Sequence, residues 1–195
     1  VLFGRLAGLG HLGLLALAYG LANTLLARAW WHLLHHAGLE VQFGWTFRVY
    51  GLSQLAKYVP GNLFHLAGRQ ALGMAYGLPT GALAKSSIWE LGLIAACGAV
   101  YGAWTLPMLP LSASIAVAAS LFFVCVLGLY AGLRRWVSRH IATAMLFQLA
   151  FLAVSGAVFS VILVCVQVDR LDASLWCVVL GCYVIAWLAG LITPG

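Results

Sequence analysis

The stretch that decides the fold covers residues 54–70 and reads QLAKYVPGNLFHLAGRQ. It lies among long apolar runs, yet it carries several polar side chains, with Pro60 and Gly61 at its middle. Proline removes a backbone donor and clashes with the preceding turn, while glycine tolerates backbone angles that other residues avoid. A helix that enters this stretch should therefore end near Val59, and a second helix should begin near Asn62. The sequence predicts a helix pair that is broken at Pro60 and Gly61.

The second half of this pair is predicted to carry a polar face. Asn62 would cap the new helix, and the first backbone N–H groups of that helix would be open to an anion. Asn62, His65 and Arg69 follow the i, i+3, i+7 spacing that places side chains on one face of a helix. Lys57 and Tyr58 lie just before the break. In apolar surroundings such a face must lie against protein or a wet cavity.

The composition is that of an integral membrane protein. Of 195 residues, 64% are apolar and only 7% are charged, whereas a soluble domain of this size must present a charged exterior to water. The net charge of +6 comes from basic residues between apolar runs, so it indicates loop charge rather than nucleic-acid binding. The five cysteines form no Cys-x-x-Cys pair and are interpreted as small core residues.

Five apolar runs are each long enough to cross a bilayer, which takes about 20 helical residues. They cover residues 6–27, 82–104, 112–132, 141–168 and 173–192. The broken pair between the first two runs is predicted to enter the membrane and return to the same side, because eight of the ten Lys and Arg residues then share one face. A single crossing would divide them six to four. We therefore predict an all-α, polytopic membrane helix bundle with five spans and a re-entrant pair, forming one domain over residues 1–195.

Small residues recur at a spacing that allows helices to approach closely. Gly98 and Gly102 form one Gly-x-x-x-Gly pattern, and Gly128 and Gly132 form a second. With 22 glycines in the chain, such matches also arise by chance.

Glu90 lies well inside the second apolar run. A charge at that depth costs at least about 2.5 to 3.5 kcal/mol unless it is paired or protonated, so Glu90 is a candidate functional residue. The alternative is a bond between helices that only holds the bundle together. Because an arginine in the membrane cannot shed its proton, we expect Arg69 and Glu90 to meet in one wet pocket.

The end of the first run is basic and aromatic. This collar consists of Arg28, Trp30, Trp31, His32, His35 and His36. The three histidines have the i, i+3, i+4 spacing of metal ligands, but no carboxylate or cysteine joins them, and structural zinc usually has four ligands. We interpret the collar as a helix end at headgroup level, and we predict neither a metal nor a cofactor.

Four blocks of the sequence resemble the transmembrane region of the bacterial lysylphosphatidylglycerol synthase and flippase family. They are LLARAWW at 25–31, KYVPGN at 57–62 with Gly68 and Arg69 after it, Trp89 with Glu90, and AWLAGLITPG at 186–195. The blocks keep the order that they have in the family. The family has a further span before the first run and a glycine-rich segment after the last block, so the chain resembles an internal fragment of such a protein.

The resemblance implies a flippase or lipid-binding transporter unit of the bacterial inner membrane. Its substrate would be an anionic phospholipid or a polyprenyl-phosphate-linked lipid, and the lipid-binding residues would be Lys57, Tyr58, Pro60, Gly61, Asn62, His65, Arg69 and Glu90. Two alternatives remain open. One is a non-catalytic membrane anchor or assembly partner of a synthase or glycosyltransferase. The other is a lipid-modifying enzyme, for which the chain offers no catalytic motif.

Overall fold

The computed structural model of the chain describes residues 2–55, 64–110, 113–165 and 172–192. Within these ranges the chain is helical almost throughout and contains no strand. The helices are α1 (Leu2–His36), α2 (Phe43–Leu55), α3 (Phe64–Ala75), α4 (Thr80–Tyr101), α5 (Ile115–Gly132), α6 (Arg139–Cys165) and α7 (Ala173–Ile192). A 3-10 segment (Gly102–Met108) continues α4, and a π-helical turn (Leu133–Val137) continues α5. The all-α prediction is confirmed.

Four of these helical stretches are long and apolar enough to cross a membrane. They are Leu12–His36, Thr80–Met108, Ile115–Val137 and Arg139–Cys165. In α7 the apolar stretch is shorter and covers Ser174–Gly190. The chain is thus a membrane protein, and four of the five predicted spans correspond to helices of sufficient length.

The first span was predicted to end at residue 27, but α1 continues to His36. The helix continues because residues 28–36 contain no glycine or proline. It ends at Gly38, whose φ of 85° is unfavourable for other residues. There the Leu39 N–H donates to the Leu34 carbonyl at 3.0 Å, which closes the last turn. The basic and aromatic collar is therefore the last part of α1 itself.

The end of α3 has the same geometry. Gly77 has a φ of 88°, and the Leu78 N–H donates to the Gly73 carbonyl at 3.0 Å. The turn to α4 occupies only residues 76–79. Although residues 72–81 contain three glycines and a proline, residues 72–75 are still part of α3 and residues 80 and 81 already belong to α4.

The helices α2 and α3 run antiparallel. The ring of Trp45 lies 4.6 Å from that of Tyr76, and the guanidinium of Arg69 lies 4.6 Å from the ring of Tyr50. Early residues of α2 thus pair with late residues of α3. The residues that connect the two helices, including the predicted break at Pro60 and Gly61, lie outside the described ranges.

The helices α3 and α4 are also antiparallel and closely packed. Gln70 Nε2 donates to Ser87 Oγ at 3.0 Å, and a Cβ at Gly73 would come within 2.7 Å of Leu83. The start of α2, the end of α3 and the start of α4 therefore lie at one end of the bundle. The end of α1 lies there too, since Trp31 Nε1 donates to the Val41 carbonyl at 2.8 Å.

The centre of the bundle is the packing of α1 against α6. The fully buried side chains there include Leu33, Leu34, Ile141, Met145 and Leu152. By contrast, α5 lies at the periphery and buries little beyond Ala118. Its exposed Phe123 and Leu127 are suited to contact with lipid.

Candidate functional site

The described part of the chain contains one ion pair, and it is buried. Arg69 Nη1 lies 2.8 Å from Oε2 of Glu90 and donates to Oε1 of the same carboxylate at 3.0 Å. The contact with Oε2 is an ion contact without the alignment of a hydrogen bond. The Arg69 side chain is 1% exposed and that of Glu90 is 10% exposed. The expectation that Arg69 and Glu90 meet inside the bundle is confirmed.

Each of the first four helices contributes one side chain to this cluster. Tyr50 of α2 donates its hydroxyl to Glu90 Oε1 at 3.0 Å. The guanidinium of Arg69 lies over the rings of Tyr50 at 4.6 Å and Trp30 of α1 at 5.2 Å. Trp30 is in turn held by α4, because its Nε1 donates to Ser86 Oγ at 3.1 Å. The carboxylate and the aromatic rings together compensate the burial of the arginine charge.

One edge of the Arg69 guanidinium has no partner among the described residues, and we call it the open edge although it is buried. Its Nε and Nη2 are buried and have no hydrogen-bond partner among the described residues. These two groups lie side by side and form the fork with which arginine binds two oxygens of a carboxylate or a phosphate. Leaving buried donors of a charged group unpaired is costly. The geometry is therefore that of an anion-binding group whose Nη1 is occupied by Glu90 and whose Nε and Nη2 have no partner among the described residues.

A small polar cavity lies beside the ion pair. Its volume is about 40 Å³, and Tyr50, His65, Glu90 and Gln148 contribute its polar walls. Gln148 Nε2 donates to the Glu90 carbonyl at 3.3 Å, while its Oε1 has no partner in the described part of the chain. One water needs roughly 10 to 15 Å³, so the cavity is large enough for water but well below the size of a lipid headgroup site.

The structure brings together three of the predicted lipid-binding residues, His65, Arg69 and Glu90. His65 lies one turn before Arg69 on α3, is 8% exposed and lines the cavity. The prediction that His65 and Arg69 share a face is thus confirmed. Lys57, Tyr58, Pro60, Gly61 and Asn62 lie outside the described residues, and the proposed anion site at the Asn62 helix start stays a prediction.

Two sequence-based assignments need correction. The count of basic residues on one side of the membrane included Arg69, but Arg69 lies inside the bundle, where Glu90 and two aromatic rings stabilise its charge. Trp30 was assigned to the collar at headgroup level, but it is 1% exposed. Its ring lies inward because α1 presents one tryptophan, Trp30, to the bundle and the next, Trp31, to the loop before α2.

Sequence reasoning missed Tyr50 and Gln148. Gln148 is an amide side chain well inside a long apolar run, and the argument that singled out Glu90 applies to it as well. Tyr50 carries no comparable signal, because a tyrosine in an amphipathic setting fits both a core and an interface.

The histidines of α1 contact the start of α6. His32 Nδ1 lies 3.4 Å from His140 Nδ1, His36 Nδ1 lies 3.0 Å from Ser138 Oγ, and His35 Nδ1 lies 2.8 Å from the Trp31 carbonyl. Within the described ranges, no three His, Cys, Asp or Glu side chains converge as metal ligands. The contacts join the end of α1 to the beginning of α6 at the basic end of the bundle.

Comparison of the chain with protein-family models, with characterised proteins and with solved structures returned no match. The fold and the site define an all-α membrane protein with a buried, partly open arginine–glutamate pair where four helices meet.

Proposed function

We propose that the protein is a lipid flippase or lipid-binding transporter unit of a bacterial inner membrane, acting on an anionic phospholipid or a polyprenyl-phosphate-linked lipid. The observation that carries this proposal is the open Nε–Nη2 edge of the buried Arg69. A lipid phosphate supplies the two oxygens that this edge would bind. The resemblance of the sequence to the lysylphosphatidylglycerol synthase and flippase family is consistent with the same substrate class.

Glu90 gives the site a means of release. In the described state its carboxylate contacts Arg69 Nη1, so the arginine charge stays compensated when no lipid is bound. A phosphate on the open edge would compete with Glu90 for the same positive charge. The carboxylate thus limits how tightly the arginine binds the lipid phosphate. When the lipid leaves, the carboxylate again forms the ion pair with Arg69.

Transport would require the α2–α3 hairpin to move relative to α4. The cavity of about 40 Å³ beside the pair is too small for a headgroup. Each of α2, α3 and α4 contributes a residue to the cluster, so a movement of the hairpin would separate these residues. Transporters often have broken helices at their binding sites. Arg69 does not line this cavity in the described structure, and separation of Arg69 from Glu90 would extend the cavity towards the open edge.

The arrangement of the helices supports a re-entrant hairpin. The antiparallel contacts of α2 with α3 bring the start of α2 and the end of α3 to one end of the bundle. With Arg69 removed from the loop charges, the Lys and Arg residues divide seven to two for the re-entrant arrangement and five to four for a single crossing. The 20 residues of α7 extend about 30 Å, which matches a fifth span. We propose that the basic end faces the cytoplasm.

The test is a scrambling assay with purified protein in vesicles. The probe is fluorescent phosphatidylglycerol, and dithionite measures the fraction that reaches the outer leaflet. The double variant Arg69→Gln, Glu90→Gln keeps side chains of similar size but removes the charged fork. We expect it to fold and to lose most of the transport. Arg48→Gln is the matched control, because it removes one arginine that is exposed on α2.

Wild-type transport by a folded double variant would overturn the proposal. Release of the labelled headgroup by the wild-type protein would instead indicate a lipid-modifying enzyme. Wild-type protein that neither transports nor modifies the probe would favour the anchor or assembly function.

A further inference from the structure

A second arginine, Arg28, lies at the surface of the bundle. Its guanidinium lies over the ring of Trp31 at 4.5 Å and over that of Phe43 at 4.6 Å. The only ion pair among the described residues is that of Arg69, so Arg28 has no carboxylate partner there. The two rings stabilise the cation without using its N–H donors. These donors are available to an anion.

An apolar groove lies beside Arg28. It has a volume of about 360 Å³ and is lined by Thr24, Leu25, Arg28, Phe43, Phe47 and Phe147. These residues belong to α1, α2 and α6. Phe47 is 45% exposed, so its ring is accessible from the surroundings. Thr24 lies one helical turn from Arg28, on the side away from the basic end of the bundle. The groove therefore combines one cation with apolar walls.

The aromatic rings around Arg28 are held in place by the fold. Trp31 Nε1 donates to the Val41 carbonyl at 2.8 Å, and the rings of Phe43 and Phe47 lie 6.2 Å apart. Arg28 is two helical turns from the end of α1 at His36, where tryptophan and histidine form the collar. A cation and tryptophan at this level are typical of the headgroup region.

We propose that this groove binds an anionic phospholipid of the leaflet at the basic end, with the lipid phosphate on Arg28 and an acyl chain between Phe47 and Phe147. A free phosphate would leave the apolar walls unfilled, and an apolar protein segment would leave the donors of Arg28 unpaired. A zwitterionic lipid would also bring its ammonium group towards Arg28, and no described carboxylate forms an ion pair there that could offset the repulsion. An anionic lipid has no such conflict.

This site is independent of the Arg69 cluster, since the two share no lining residue. Its loss is expected to change lipid binding at the surface without opening the ion pair of Arg69 and Glu90. The two sites therefore can be tested separately.

The experiment is native mass spectrometry of the delipidated protein in detergent. The probes are phosphatidylglycerol and phosphatidylcholine with the same acyl chains. Arg28→Gln is expected to weaken binding of phosphatidylglycerol about tenfold, the effect of losing a hydrogen-bonded charge. Arg135→Gln is the matched control, because Arg135 is an exposed arginine of the same basic end. It is expected to bind like the wild type.

A second variant tests the apolar part of the groove and keeps the charge. Thr24→Trp is expected to fill the groove and to weaken long-chain phosphatidylglycerol more than the short-chain dihexanoyl form. Thermal unfolding of each variant shows whether it is folded. If Arg28→Gln does not fold, the lipid binding of Thr24→Trp tests the proposal.

Three results would overturn the proposal. The first is equal loss of phosphatidylglycerol in Arg28→Gln and Arg135→Gln, which would indicate a general effect of charge. The second is unchanged lipid binding in folded Thr24→Trp. The third is competition by inorganic phosphate at concentrations similar to those of the lipid, which would indicate a site for free anions.

Discussion

At the scale of the residue, the two members of the buried pair are not equivalent. A carboxylate that loses its partner in an apolar site can take up a proton, whereas a guanidinium cannot release one. Three other helices each place one side chain against the Arg69 charge, namely Trp30, Tyr50 and Glu90. Removal of Glu90 therefore leaves a buried charge that no other described carboxylate compensates.

We predict that Glu90→Ala destabilises the protein more than Arg69→Ala. Breaking a buried pair costs about 3 to 5 kcal/mol when a charge is left behind, and only the loss of Glu90 leaves one that cannot be neutralised. Thermal unfolding in detergent, followed by tryptophan fluorescence, measures the difference.

Glu90→Gln serves as the control for size. It also leaves the Arg69 charge without a carboxylate, but its amide oxygen can still accept the hydrogen bonds that Oε1 accepts from Tyr50 and Arg69. We expect this variant to stay folded and to bind lipid while turning over more slowly. Equal melting temperatures for the two alanine variants, or a lower one for Arg69→Ala, would contradict the argument.

At the scale of the element, α7 is held by glycines of the neighbouring helices. A Cβ at Gly98 of α4 would collide with Leu188, and a Cβ at Gly156 of α6 would come within 2.7 Å of Leu180. Small residues at such contacts let the backbones approach. The pattern at Gly128 and Gly132 has a different environment, since nothing lies within 4 Å of a Cβ at Gly128.

We therefore predict that Gly98→Leu destabilises the packing of α7, while Gly128→Leu is tolerated. Overpacking of a close contact costs about 1 to 3 kcal/mol, whereas the side chain at residue 128 would extend into open space. Both variants replace the first glycine of a Gly-x-x-x-Gly pattern with leucine. Melting temperatures in detergent provide the measurement, and a larger loss at Gly128 would show that α5 is covered by protein rather than lipid.

At the scale of the whole molecule, the basic side chains collect at one end. The contact of His36 with Ser138 at 3.0 Å and that of His32 with His140 at 3.4 Å bring the end of α1 to the start of α6. The arginines of the π-helical turn, Arg134 and Arg135, directly precede that start. Such an end is expected to face the cytoplasm.

The topology is tested by labelling single cysteines in a background without the native ones. Gln42→Cys before α2 and Thr80→Cys at the start of α4 lie at exposed positions. We expect a membrane-impermeant thiol reagent to reach both from the cytoplasmic side, and Ser174→Cys, in the first turn of α7, from the other side. Labelling of residues 42 and 80 from opposite sides would mean that the hairpin crosses the membrane once.

Several features follow from the amino-acid sequence by itself. The apolar composition determines a membrane bundle, and the apolar runs determine most of its helices. Lipid offers no hydrogen bonds to the backbone N–H and C=O groups, so these groups must pair within the helix. Gly38 and Gly77 mark helix ends through their local conformation. The meeting of Arg69 with Glu90 was predictable for an energetic reason, since few groups in an apolar interior can compensate either charge.

Other features were decided only by the tertiary structure. The sequence does not specify that Trp30 faces Arg69 while Trp31 faces Arg28, nor which edge of the Arg69 guanidinium stays open. These details depend on the angles at which α1, α2 and α3 cross. Many apolar side chains of similar volume permit several such angles, so local patterns do not distinguish them. The packed bundle adopts one set of crossing angles, and this set determines the open edge of Arg69 and the groove at Arg28.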